Sequence, residues 1–269
     1  MQGASRASLA EARRVLNEHL DGDAEGSRMG EDLLAISRVL GGSSGLRKAA
    51  ADPSRTARDR SSLIDRLFAG RVSDGAQQVA RHAVGQRWTR VGHLTVALEE
   101  LAVEAFFAGA ERAGRMKEVE DELFRFSRIV SGDPELQGAL TDRQGSTSAK
   151  GDLVKQLLSD KVAPETLRLA SHAVATPTLR FDRAIASFLD IAARRQAEVS
   201  AVVTTARPLE EQQLDRISAA LTKQYGRDVH LHMVVDPDVI GGVRVEIGDE
   251  VIEGTISNRL EGARRHVSR

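Results

Sequence analysis

The 269-residue chain is close to charge balance, with 38 Lys and Arg against 39 Asp and Glu, and only 3% of its residues are aromatic. Nucleic-acid binding legible in a sequence needs one-sided positive charge and stacking aromatics, so that class is excluded, and the absence of cysteine excludes disulfides and thiolate-based zinc or catalytic sites. With no run of about 18 apolar residues and no signal-peptide pattern, the chain is expected to be soluble and intracellular or peripheral, without direct membrane insertion.

The first two thirds read as short helices, and they read so twice. At a period of 90 residues the sequence matches itself without a gap: Leu33 falls on Leu123, Ser37-Arg38 on Ser127-Arg128, Gly42 on Gly132, Leu63 on Leu153, and His82-Ala83-Val84 on His172-Ala173-Val174. Two copies are too few for a solenoid, so this is a duplication. The first copy includes a helix over Ser73–Arg87, and residues 31–88 and 121–178 are expected to superpose. Between the copies, residues 89–114 read as one helix with two apolar stripes, Leu94, Leu98, Leu101 and Ala105 against Val96, Val103, Phe107 and Ala110. A helix with opposed stripes is buried on both sides, so it closes one bundle and opens the next; two shorter helices broken at Gly109 are the alternative. In the second copy, Leu123, Phe126 and Val130 share a stripe. Asp133-Pro134 opens a short helix to Leu140, residues 147–160 form another, and Pro164 sits in the first turn of a helix running to about Thr176. Thr178–Glu198 is the last.

From Val199 the period drops to 2. Val199, Ala201 and Val203 form a strand. Pro208 starts a helix with Leu214, Ile217, Leu221 and Tyr225 on one side, stopped by Gly226. Val229, Leu231, Met233 and Val235 then alternate with His230, His232 and Val234. The pair Gly241-Gly242 predicts a bulge or close backbone approach. Val243, Val245 and Ile247 form a strand, Gly248-Asp249 a two-residue turn, and Glu250 to Ile256 the return strand, with Arg244 opposite Glu253. A terminal helix through Leu260 completes β-α-β-β-β-α. The expected fold is mainly α: a first helical-bundle copy over 1–93, a second over 94–198 with helix 89–114 shared, and a small C-terminal α+β domain over 199–269.

No catalytic chemistry emerges. Gly41-Gly42-Ser43-Ser44-Gly45-Leu46-Arg47-Lys48 lacks the Gly-Lys-Ser/Thr ending of a phosphate loop and follows a helix instead of a strand. His230 and His232 share a strand face without a third ligand in a closed motif. His82 and His172 recur inside helices, as packing or capping residues do. No nucleophile elbow or zinc-protease helix is present. The chain is therefore expected to be non-catalytic, with no cofactor and no metal.

The C-terminal run, a double glycine, an apolar strand, Gly-Asp, an apolar pair and Glu253-Gly254-Thr255 before a helix, closely resembles the delta subunit of F-type ATP synthase, the oligomycin-sensitivity-conferring protein family. That family carries Asp-Gly-Ser where Glu253-Gly254-Thr255 stands. Ala105-Phe106-Phe107 and Ala110 to Gly114 are similar to the family's opening helix, with Ala102 in place of a tyrosine, and Val119 to Leu123 resembles its second helix. The extra leading copy resembles the long form of high-GC Gram-positive bacteria. The resemblance implies a non-catalytic peripheral-stalk (stator) subunit on the cytoplasmic side of the cell membrane. It would grip the N-terminal helix of an alpha subunit, with beta subunits nearby, and hold the C-terminus of the b subunit. On that basis the second copy is expected to bind alpha between the helix 103–114 and the helix 165–175 through Phe106, Leu169 and Val174. Gly241, Gly242, Gly248, Asp249 and Gly254 mark the b-binding end. A cytosolic helical adaptor or regulatory protein is the rival reading.

Overall fold

The computed structural model describes residues 3–20, 26–142, 145–176, 180–225, 229–237, 239, 242–247 and 250–253. Two compact units divide the chain, Met1–Ile191 and Ala192–Arg269.

In the first unit, α1 (Ala4–Leu20) precedes α2 (Gly26–Gly42), α3 (Ser44–Ala51), α4 (Ala57–Phe68) and α5 (Asp74–Gly85). After α6 (Val91–Arg112) come α7 (Met116–Gly132), α8 (Pro134–Thr141), α9 (Thr147–Leu158) and α10 (Pro164–Ala175), and α11 (Phe181–Val199) follows. Each of α2 to α5 has a counterpart in α7 to α10 with both ends displaced by the same 90 residues. The local chemistry recurs with the bounds even where the residue type changes. Ser43 caps α3 by accepting from the Leu46 N–H, and Asp133 caps α8 by accepting from Glu135 and Leu136. Thr56 and Ser146 cap α4 and α9 in the same way. Asp32 accepts the Ser73 N–H at 2.8 Å ahead of α5, and its counterpart Glu122 accepts the Ala163 N–H at 2.9 Å and the Thr166 hydroxyl at 2.6 Å at the start of α10. A carboxylate on one helix thus fixes the N-terminus of another in both repeats.

The turn after α4 needs a left-handed residue, and Gly70 supplies it at φ 69°. After α9 the same place is held by Asp160 at φ 61°. Left-handed backbone strains a residue with a Cβ, less so for aspartate than for most. Asp160→Gly is therefore expected to stabilise the chain by about 0.5–1 kcal/mol in urea unfolding, and Gly70→Ala to destabilise it by about 1–2 kcal/mol. Equal midpoints for both variants and the parent would refute the assignment.

Helix α6 is one unbroken helix, with no interruption at Gly109. Both of its stripes are buried, Leu94, Leu98, Leu101 and Ala105 on one side and Val103, Phe107 and Ala110 on the other. Val96 departs from the expected stripe and is exposed, one turn from the helix start. Helix α2 lies antiparallel against α6, with Gly26 beside Ala105 and Gly109, Gly30 beside Ala102 and Phe106, and Ser37 donating to the Thr95 carbonyl. A Cβ on Gly26 would fall 2.5 Å from the Ala105 carbonyl oxygen, and one on Gly30 would fall 2.7 Å from the Phe106 ring. Small residues on one face are what let the two backbones approach this closely. The second repeat lacks these glycines, with Met116 and Glu120 at the equivalent places. There α7 meets α11 through the edge-to-face rings of Phe126 and Phe181, 5.4 Å apart at 83°.

The second unit carries a four-stranded sheet of order β2-β1-β3-β4, built from β1 (Ser200–Thr205), β2 (His230–Val235), β3 (Val243–Ile247) and β4 (Glu250–Glu253). Helix α12 (Glu211–Tyr225) crosses between the parallel pair β1 and β2, as parallel strands require. It starts three residues beyond Pro208, because Leu209 packs on the sheet's core instead of opening the helix. On the core face Ala201 stands opposite Ile247 and Val203 opposite Val245, all buried. Arg244 pairs with Glu253 across β3 and β4, in the expected register. Val229 is buried and Leu231 and Met233 partly so, whereas Val235 is exposed at the strand's end. Gly226, the Gly248-Asp249 turn, Gly241, Gly254 and the expected terminal helix lie outside the described residues.

Candidate functional site: a groove between the helical repeats

The first unit holds a groove of about 820 Å³. One wall is the face of α10 formed by Pro164, Leu167, Arg168, Ser171, His172 and Ala175, a stripe at helical spacing. Thr147 and Lys155 of α9 extend that wall, and Glu99 and Phe106 of α6 lie at the floor. The other wall is α2, through Glu31, Leu34 and Arg38. Ser27 donates to Glu165 at 3.2 Å and Arg168 pairs with Glu31, while the positive charge of Arg38 bears on His172. The partners advance together along both helices, so the walls run parallel.

Of the three residues expected as anchors, Phe106 and Leu169 are fully buried and Val174 is 8% exposed. Phe106 lies at the floor of the groove, whereas Leu169 and Val174 are buried and are not among its lining residues. On α10 the groove is lined by Leu167, Arg168, Ser171 and Ala175. The 3.6-residue period locates an apolar stripe but not what covers it. The wall that sequence reading missed, α2, did leave a signal: Gly26 and Gly30, four apart, match the small face Ala102, Ala105 and Gly109. At the C-terminal signature, Gly242 has φ 90°, a conformation that favours glycine.

The electrostatics of the groove are uneven. Burial pushes the Glu99 carboxyl up, against a hydrogen bond from Ser37. Burial, helped by the Arg38 charge, lowers the His172 imidazole to about 4, and its ring stacks on Phe188 at 5.6 Å and 5°. The Ser171 hydroxyl is buried with no hydrogen-bond partner among the described residues. Unfolded histidine titrates near 6.5, so between there and about pH 4 the unfolded chain binds more protons and stability falls with pH. At pH 4.5 that loss is expected to be roughly 2–3 kcal/mol relative to pH 7.5. His172→Gln should remove that part of the acid slope in urea unfolding; an unchanged slope would show that His172 is not held neutral.

A second hollow, of about 590 Å³, lies among α1, α4 and α5. Its lining residues Ala57, Gln78, Arg81, His82, Gly85 and Gln86 are the repeat counterparts of Thr147, Arg168, Ser171, His172, Ala175 and Thr176 in the groove. It is the same site in the leading repeat, without the α2 wall.

Among the described residues no group of three or more His, Asp or Glu side chains could hold a metal, and no helix is long and apolar enough to cross a membrane.

The model of the family described as ATP synthase delta (OSCP) subunit matches residues 103–267. The chain belongs to that family. The relatives it resembles extend the match through the leading repeat. A protein of Parafrankia named ATP synthase subunit delta is 45% identical over the whole of both chains. One from Kineococcus radiotolerans is 39% identical, covering 99% of this chain and 97% of its own, and one from Streptomyces avermitilis is 41% identical over 99% and 98%. The leading repeat is thus part of the family pattern in such relatives, and the family model begins within α6, the helix that both repeats share.

Proposed function

We propose that the chain is a peripheral-stalk (stator) subunit of the proton-translocating F-type ATP synthase. The observation that carries this is the end-to-end match, at 39–45% identity, to proteins named ATP synthase subunit delta. On this reading the helical unit sits on the catalytic head, near alpha and beta subunits, and holds the N-terminal helix of an alpha subunit. The C-terminal domain, with Gly241, Gly242, Gly248, Asp249 and Gly254 as its signature, holds the end of the b subunit. The chain is peripheral on the cytoplasmic side of the membrane, and neither hydrolyses ATP nor conducts protons. Its work is mechanical, to keep the head from turning with the rotor. Helix α6, buried on both sides and common to both repeats, supports that role, because it joins the helical repeats through packed core instead of a linker that could bend under torque.

Membranes from cells lacking this chain are expected to lose alpha and beta subunits to a low-salt wash, and ATP hydrolysis is expected to continue without proton pumping. Retained head and intact coupling in such membranes would refute the reading.

A further inference from the structure

Resting on that reading, we propose that the docking groove is built jointly by the two helical repeats, with α2 of the leading repeat as an obligatory wall, and that its occupant is an amphipathic helix with an acidic edge. The alpha-subunit helix is the partner of this kind in the reading above.

The shape is that of a helix site. Leu34 and Arg38 on α2 face Leu167, Arg168, Ser171 and Ala175 on α10, so both walls offer residues at helical spacing. The stripe from Pro164 to Ala175 spans about three turns, roughly 16 Å, and parallel walls over a floor of Phe106 and Glu99 accept a helix lying along them. The chemistry specifies the occupant's edge. Glu31 and Arg168 neutralise each other, Lys155 lies 3.8 Å from Asp152, Glu99 takes a hydrogen bond from Ser37, and His172 is held neutral. Arg38 donates to the Leu34 carbonyl, and no carboxylate among the described residues pairs with it. That leaves a positive charge at the rim, complementary to an acidic side chain. The equivalent hollow of the leading repeat draws its lining from α1, α4 and α5 alone, and its cation, Arg81, is paired with Asp65 at 3.3 Å. One repeat therefore carries the groove and the other completes it, which gives the duplication a role without a second binding site.

The test uses the full-length chain, titrated by calorimetry with a synthetic peptide of the alpha-subunit N-terminal helix, with hydrogen exchange read in parallel. Arg38 is exposed, so Arg38→Glu should fold as the parent does and bind about tenfold more weakly, as expected for reversing a rim charge. Arg38→Lys should stay within about threefold, and Arg81→Glu should bind as the parent does. Peptide should protect amides of α2 and α10 together. Weakening by Arg81→Glu but not by Arg38→Glu would place the helix in the leading repeat's own hollow and overturn the proposal. Binding that neither variant alters, or protection of α10 without α2, would overturn it while leaving the stator reading standing. A peptide that fails to bind the parent chain would overturn both.

Discussion

Gly30→Leu is expected to lower the stability of the helical unit by about 3 kcal/mol or more. Two opposed effects decide the sign. Replacing a mid-helix glycine gains up to about 1 kcal/mol of helix propensity. Against this, a Cβ at Gly30 meets the Phe106 ring at 2.7 Å and the Ala102 carbonyl oxygen at 2.9 Å. The ring is fully buried and the carbonyl is backbone, so neither can yield without moving α2 away from α6. Overpacking of this kind costs about 1–3 kcal/mol for small additions and more for large ones. Gly30→Ala should therefore already be destabilising, whereas Gly138→Ala, with nothing within 4 Å, should be neutral or stabilise by up to about 1 kcal/mol. Urea unfolding of the three variants checks this, and a Gly30→Ala protein as stable as the parent would show that α2 and α6 are not in close backbone contact. Because α2 also walls the groove, Gly30→Leu should weaken peptide binding in any fraction that stays folded.

The second large effect is expected at Ile247. It is 5% exposed and faces Ala201 across β1 and β3, inside a core that also holds Val203, Leu221, Val229 and Val245. Ile247→Asp removes that apolar contact and places a carboxyl where no partner exists for it among these core residues. Lost packing alone costs about 2–5 kcal/mol, and the unsatisfied polar group adds a few more. A four-stranded sheet with one crossing helix has little reserve against such a loss. Amides of β1 and β3 should lose their hydrogen-exchange protection while those of α2 and α6 keep theirs, and the b-subunit binding proposed above should disappear. Arg244→Ala, on the other face of the same strand, should shift stability by less than about 0.5 kcal/mol. Protected β1 amides in Ile247→Asp would mean that β3 is registered the other way round.

The sequence by itself determined whatever depends on local period and local chemistry. The 90-residue self-match carried the matching bounds of α2 to α5 and α7 to α10, because caps, apolar stripes and the turn at Gly70 and Asp160 act within a few residues of themselves. The two opposed stripes of α6 and the alternation of β3, with Arg244 opposite Glu253, are of the same kind, and the family signature was legible because it is a string of residue types in order. Tertiary structure alone decided which stripe meets which partner. A periodic apolar face records that a helix is covered but not by what, so the same stripe reading singled out Phe106, which lies at the groove floor, and Leu169 and Val174, which are buried outside its lining. The groove depends on α2 approaching α6 through Gly26 and Gly30, and on α2 standing beside α10, whose sequence lies more than a hundred residues away. Such a juxtaposition follows from the packing of whole helices, and no short stretch of sequence contains it.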